Sequence, residues 1–295
     1  QRTAQEVQSF SLGSMTYAFP SSWLFGDVRV TVLVKGRPVP VYAAQVELKD
    51  ALHLLTDGKL SQVSVRGGEA ACGKLKVTGA SCNADLLKST NGISCRGNIF
   101  LAQVLQDPFS VSDVRTDFSG DKQSMTLSNL TAAVYGGRLS GAAVFTLPEH
   151  YDVDLTLHGV DSVELERVMG GIFRELDGRL SGRLHAAGAG QQIDLFDTSW
   201  TMPSGGALSA ELLSSITRYI PDSVQKKRID FLIRSGGKLA VESFLVTLKN
   251  DAPDRLSGQI GVKSREANLE LNVTHEIRVD ARIDSLVQAW QAVFK

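Results

Sequence analysis

The chain has 295 residues, a net charge of −1 at pH 7, 43% hydrophobic residues and 21% charged ones. That composition fits a folded protein rather than a disordered one, and the length is enough to bury a sizeable core. The near-zero charge argues against broad electrostatic attraction to nucleic acid or to an anionic membrane surface.

Taken in order, the first twelve residues are polar, and apolar and aromatic residues then crowd between Met15 and Phe25. Val28 to Val34 alternates with the period of a half-buried strand, and Pro38 and Pro40 break or edge the next segment. Val46 to Leu55 places Leu48, Leu52 and Leu55 on one helical face and ends at Asp57-Gly58, which predicts a helix. Val63 to Val65 and Leu75 to Val77 read as short strands. Asn83 to Lys88 and Asn98 to Gln106 are expected as short helices, the second closed by Pro108. Strand grammar resumes at Val111 to Phe118 and Met125 to Leu130.

The phrase Gly-Arg-Leu-Ser-Gly occurs at Gly137–Gly141 and again at Gly178–Gly182, about forty residues on, with weaker echoes at Asp57–Ser61 and Asp254–Gly258. Such a period marks a repeat architecture, each copy reading as a turn and then a strand. Between the copies lie the alternating runs Ala142 to Leu147 and Tyr151 to His158. A capping box comes next, Asp161-Ser162-Val163-Glu164, leading into a helix with Leu165, Val168, Met169, Ile172 and Leu176 on one face. Further helices are expected at Leu208 to Ile220, ended by Pro221, and at Ser285 to Phe294. Ile229 to Ile233, Leu239 to Leu248, Gly258 to Val262, Asn268 to Thr274 and Ile277 to Ile283 read as strands. The chain is therefore expected to be mainly β, an antiparallel meander with a few short helices.

Chemistry-bearing constellations are sparse. The five histidines are scattered, and the doubled glycines make no phosphate loop. Asp152 and Asp154 point to one face of a strand and form a carboxylate pair on paper, but a solvated polar face opposite Val153 and Leu155 is the better reading. Lys226-Lys227-Arg228, the one basic cluster, reads as a solvated turn. Cys72, Cys82 and Cys95 lack zinc spacing; free or buried thiols come first, and a Cys72–Cys82 or Cys82–Cys95 bridge second. No metal or cofactor is implied. No apolar run reaches the length of a membrane span, and the start at Gln1 leaves room for a leader or anchor upstream.

The run Leu130 to Leu157, an apolar strand ending in Tyr-Gly-Gly, then Arg-Leu-Ser-Gly and a second alternating strand, resembles the repeat of the AsmA-like superfamily of bacterial envelope proteins. Gly159-Val160-Asp161 leading to Leu176–Gly182, and the paired strands of Lys238 to Ile283, are similar to its continuation. The likeness covers the last two thirds of the chain, with a fainter echo at Val46 to Ser61. It implies residues 1–125 as the N-terminal part of a β-groove and residues 126–295 as a repeat region ending in an amphipathic helix. It also implies an elongated, curved antiparallel sheet in the periplasm, anchored to the inner membrane through a segment outside this chain. The associated work is lipid transport between inner and outer membrane or outer-membrane assembly, without catalysis.

The residues themselves agree on one point. A strand of about ten residues spans roughly 30 Å, comparable to an extended acyl chain. At about 0.8 kcal/mol per CH₂, a two-tailed lipid faces on the order of 20 kcal/mol or more against crossing water unaided. Alternation nominates Val144, Val153, Leu155, Leu157, Val241, Leu245, Leu269, Leu271, Val273, Val279 and Ile283 as lipid-binding wall residues. The expected partners are a phospholipid or other acyl-chain lipid and membrane proteins of the envelope, and not nucleic acid. The rival expectation is a scaffold module in which the helices led by Leu165 and Leu208 fill the same face and close the core.

Overall fold

The computed structural model describes residues 7–18, 21–34, 37–50, 53, 61–89, 92–169, 176–217, 221–252, 255–266 and 269–278. These are mainly β, with antiparallel strands and three short helices among the described residues. The chain divides into two units, Gln1–Val134 with Val144–Pro148, and Tyr135–Ala143 with Glu149–Lys295.

The first unit is a meander. β1 (Val7–Ser11) and β2 (Ser14–Ala18) lie one after the other along the same edge of β3 (Ser22–Val34). Successive connections then add β4 (Arg37–Lys49), β5 (Ser61–Cys72), β6 (Leu75–Ser89), β7 (Gly92–Gln106), β8 (Phe109–Gly120) and β9 (Ser124–Val134), each antiparallel to the last. Local chemistry sets the turn from β8 to β9. Asp121 Oδ1 accepts the backbone N–H groups of Gln123 at 2.7 Å and Ser124 at 2.9 Å, which closes the turn and holds its own carboxyl below the ordinary range.

The helices expected within this unit are corrected by its register. Val46 to Lys49 belongs to β4, Asn83 to Lys88 lies inside β6, and Asn98 to Gln106 lies inside β7. Within the expected helix Val46 to Leu55, His53 is helical, and Leu52 and Leu55 fall outside the described residues. A one-turn apolar spacing cannot compete with pairing on both sides: β6 is bonded to β7 from Leu75 through Ser89, which satisfies backbone groups a short isolated helix would leave open.

The second unit takes in the first part of β10 (Gly137–Thr146), the rest of which belongs to the first unit. Its main sheet runs β11 (His150–Asp161), β12 (Leu176–Ala189), β13 (Gln192–Thr201), β16 (Ser243–Ala252), β17 (Arg255–Ser264) and β18 (Leu269–Arg278). Two three-residue strands, β14 (Gly206–Leu208) and β15 (Leu239–Val241), extend the first residues of β12 into a small second sheet.

Its helices are α1 (Ser162–Met169), α2 (Ala210–Thr217) and α3 (Val224–Arg234). One half of the expected box is in place, since Asp161 Oδ1 accepts the N–H of Val163 at 2.9 Å, while the N–H of Asp161 itself donates to the carbonyl of Tyr135 at 2.9 Å. Leu176, expected on the same helical face, begins β12 instead, where it pairs with Leu208. Ile172 lies outside the described residues. α2 is shorter than expected because Leu208 is committed to β14, and Ile220 is not described. Ile229 to Ile233, expected as a strand, is helical. Ser223 caps that segment by accepting the N–H of Lys226 at 3.1 Å, and the basic run Lys226-Lys227-Arg228 lies in its first two turns rather than in a turn between strands. The expected helix Ser285 to Phe294 lies outside the described residues.

Candidate functional site

One face of the first unit collects the apolar side chains in rows set by hydrogen-bonding register. Val30, Val41, Ala70, Val77, Val104 and Val111 stand side by side across six strands, and Phe25, Val46, Val65, Cys82, Ile99 and Thr116 form a parallel row. Between them runs a row of smaller residues, Val28, Ala43, Gly68, Ala80, Leu101 and Val114. Among the described residues of this unit, the buried hydrophobic side chains are two alanines, Ala43 and Ala132. The larger ones remain partly open, and at the strand ends Leu75 is 37% and Ile93 53% exposed. A sheet face packed against a second layer buries such residues almost completely.

The same rows reveal a crease. On every strand from β3 to β9 the apolar alternation slips once, two successive residues pointing to the polar side. Phe25 is followed on its face by Val28, Val65 by Gly68, Val77 by Ala80, Leu101 by Val104, and Val111 by Val114. Each slip falls at or beside a left-handed residue: Asp27 (φ 51°), Gly67 (φ 63°), Gly79 (φ 63°), Asp113 (φ 52°) and Asn129 (φ 53°). Two alanines are held between such residues on neighbouring strands, Ala44 between Asp27 and Gly67, and Ala102 between Gly79 and Asp113. The slips of β3, β4 and β5 face one another on one side of the small row and those of β6, β7 and β8 face one another on its other side, so the register survives within each set and shifts at β5–β6 and β8–β9. Side chains hold two of the non-glycine members. Asp27 Oδ1 accepts the Tyr42 hydroxyl at 2.9 Å, which holds that phenol above its ordinary value, and Asn129 Nδ2 donates to Asp117 Oδ2 at 2.8 Å.

The opposite face of this sheet is polar and largely self-satisfied. Ser64 donates to Asn83 at 2.8 Å, Gln62 to Asp85 at 3.2 Å, and Arg96 stands 3.6 Å from Asp85. A hollow of about 340 Å³ lies over this network, lined by Glu47, Lys49, Arg66, Asp85, Arg96 and Asn98 among others. Arg96 pairs with Asp85 across strands and Lys49 stands 3.9 Å from Glu47 on its own strand, the pattern of a solvated face.

The second unit is built differently. Val153, Leu155 and Leu157 on β11 are in register with Ala186, Leu184 and Gly182 on β12, and these with Phe196, Thr198 and Trp200 on β13. Thr198 and Trp200 continue to Leu248 and Val246 on β16. The nominated Val153, Leu155 and Leu157 are thus on one apolar face. Its core is closed: Leu180, Met202, Leu208, Phe244, Leu248 and Leu256 are buried, as are Leu165, Leu212, Leu213 and Ile229 of the helices. Ile193, Leu248 and Leu256 cluster together with Phe196 against them. Ser162, wholly buried, donates to the carbonyl of Leu176 at 3.0 Å and accepts the N–H of Gly178 at 3.1 Å, tying α1 to β12.

The other nominated residues scatter. Leu245 is out of phase with the buried Phe244, Val246 and Leu248 and lies on the opposite side of β16, while Val241 is buried on β15. The nominated alternation ran through Glu242, where the chain leaves β15 for β16 and the phase resets. Val144 is an exposed residue of β10. Leu269, Leu271 and Val273 are in register with Ser264, Val262 and Ile260. Val279 and Ile283 lie outside the described residues. The first unit's apolar rows were missed because their slip at the crease breaks the two-residue period; the signal that finds them is two periodic halves offset by one residue on successive strands.

Asp152 and Asp154 do not converge as an acid pair. Arg183 Nη2 donates to Asp154 at 2.6 Å, holding that carboxyl below its ordinary range, and His185 Nε2 lies 3.1 Å from Asp152. Cys72, Cys82 and Cys95 are free thiols, so neither candidate bridge is formed, and burial raises the Cys82 thiol, with Cys95 adding to it. Among the described residues no three metal-ligating side chains gather, and no described helix is long and apolar enough to cross a membrane. No known protein family, characterised protein or solved structure matches this chain.

Proposed function

We propose that this chain is a non-enzymatic, AsmA-like protein of the bacterial periplasm, anchored at the inner membrane by a segment outside it, whose first unit shelters acyl chains during lipid movement between the membranes or outer-membrane assembly. One observation carries the reading. Six successive strands, β3 to β8, present their apolar rows to one side, and among the described residues no hydrophobic side chain of those rows larger than alanine is buried.

The crease supports a trough rather than a flat face. Two successive residues on the polar side lengthen that side of every strand, on one flank of the small row in β3 to β5 and on the other in β6 to β8, and bulged strands bend toward the shorter side, which here is the apolar one. The small row Ala43, Gly68 and Ala80 lies at the floor of the bend. The internal repeat has support of its own: the two Gly-Arg-Leu-Ser-Gly phrases flank the same strand. A β-carbon on Gly141 would meet Asp154 O at 2.1 Å, while Gly182 pairs with Leu157. The scaffold reading draws on the second unit, where Leu165, Leu212, Leu213 and Ile229 of the helices are buried along with Leu180, Phe244 and Leu256 of the strands.

The test is a photo-crosslinking residue placed at Ile99 on the apolar face and, separately, at the outward Asn98, in cells that make the full chain. The reading expects phospholipid adducts at Ile99 and few at Asn98, with co-purified lipid seen by native mass spectrometry. Equal labelling, or no lipid on either, sinks it and leaves the scaffold.

A further inference from the structure

Helix α3 turns an unusual face to solvent. At one-turn spacing, Val224, Lys227, Arg228, Phe231 and Arg234 share it, while Ile229, on the opposite side, is wholly buried. Phe231 is 71% and Val224 67% exposed, values that leave the ring and the methyls in water. The cations around them are uncommitted. Lys226 pairs with Asp222 at 3.0 Å and Lys238 with Asp177 at 2.9 Å, whereas no ion pair engages Lys227, Arg228 or Arg234 among the described residues. The helix holds four cations and one acid, in a chain whose overall charge is −1.

We infer that α3 is a docking helix for an anionic lipid bilayer, lying in the interface with Phe231 and Val224 inserted and Lys227, Arg228 and Arg234 at the level of the phosphates. Charge complementarity selects the occupant: three free cations ring an apolar tip on a convex helix, the arrangement of an interfacial amphipathic segment. An acidic protein groove would satisfy the cations but needs a pocket for a ring that here stands proud. The docking is independent of any lipid held by the first unit. It gives the second unit a membrane-facing side that the overall charge conceals.

The test is sedimentation of the full chain with vesicles of one part phosphatidylglycerol to three parts phosphatidylcholine, and with vesicles of phosphatidylcholine alone. The expected result is partitioning onto the anionic vesicles that weakens with salt. Lys227→Gln with Arg228→Gln should lower it by on the order of twenty-five-fold, since each basic residue near an anionic surface contributes about fivefold. Phe231→Ser should lower it at all salt concentrations. All three positions are exposed, and circular dichroism checks that the variants stay folded. Equal binding to neutral vesicles, equal binding by the variants, or capture by polyglutamate without capture by vesicles overturns the inference.

Discussion

Gly79 stands so close to Ala102 that a β-carbon on it would lie 2.6 Å from the Ala102 β-carbon, and Gly67 stands in the same relation to Ala44 at 2.9 Å. Both glycines are left-handed, and both sit where the strands of the first unit slip together. Left-handed backbone and close approach are separate costs, and the molecule offers a way to divide them. Gly73 has φ 60° with nothing near its absent β-carbon. Gly73→Ala should cost about 1–2 kcal/mol from the backbone alone. Gly79→Ala should cost at least about 1 kcal/mol more, because Ala102 must move. Urea denaturation of the two variants measures the difference, and equal losses would show that the crease is not tightly packed.

The two units should answer differently to truncation. Leu256 is fully buried in the second unit, and Leu256→Ala is expected to destabilise by about 2–5 kcal/mol. Leu75, at the open end of the first unit's apolar face, should lose under about 1 kcal/mol when changed to alanine. Comparable losses at both sites, in thermal or chemical unfolding, would mean that the first unit's face is covered after all.

Ser162 is a hinge pin of hydrogen bonding rather than of packing. Ser162→Ala removes the donor to Leu176 and the acceptor for Gly178 in a buried place, with an expected loss of about 1–3 kcal/mol. Amide exchange should show the Gly178 N–H opening faster in the variant. Unchanged protection there would contradict the assignment.

The Asp154–Arg183 pair sets a small pH dependence of known sign. Its carboxyl is depressed in the folded protein, so the pair stabilises above the unfolded-state value, about 3.9, and that contribution fades as pH falls through the lower folded value. Both side chains are exposed, which limits the effect to under about 1 kcal/mol. Asp154→Asn should therefore be slightly less stable than the parent at neutral pH and match it in strong acid. A gap that widens on acidification would reverse the sign and exclude this origin.

Local residue patterns were enough for the β class, the strands at Val28 to Val34 and Tyr151 to His158, the cap at Asp161 and the polar role of Asp152 and Asp154. In these places neighbouring residues settle the conformation: alternation, a short acceptor before a helix, charge opposite charge. Where the open apolar face lies is a matter of long-range pairing. A slip of one residue is invisible on a single strand, and on β7 its spacing of two and then three imitates a helix. It becomes a crease only because the slips of β3 to β5 face one another and those of β6 to β8 do the same across the small row, so that pairing is kept within each set while each strand turns two residues outward. Covering belongs to the same level of organisation. Leu248 is core because Ile193, Leu256 and Phe196 pack with it in the second unit, whereas Val41 and Ile99, no less apolar, stay partly open because no described element of the first unit lies across them.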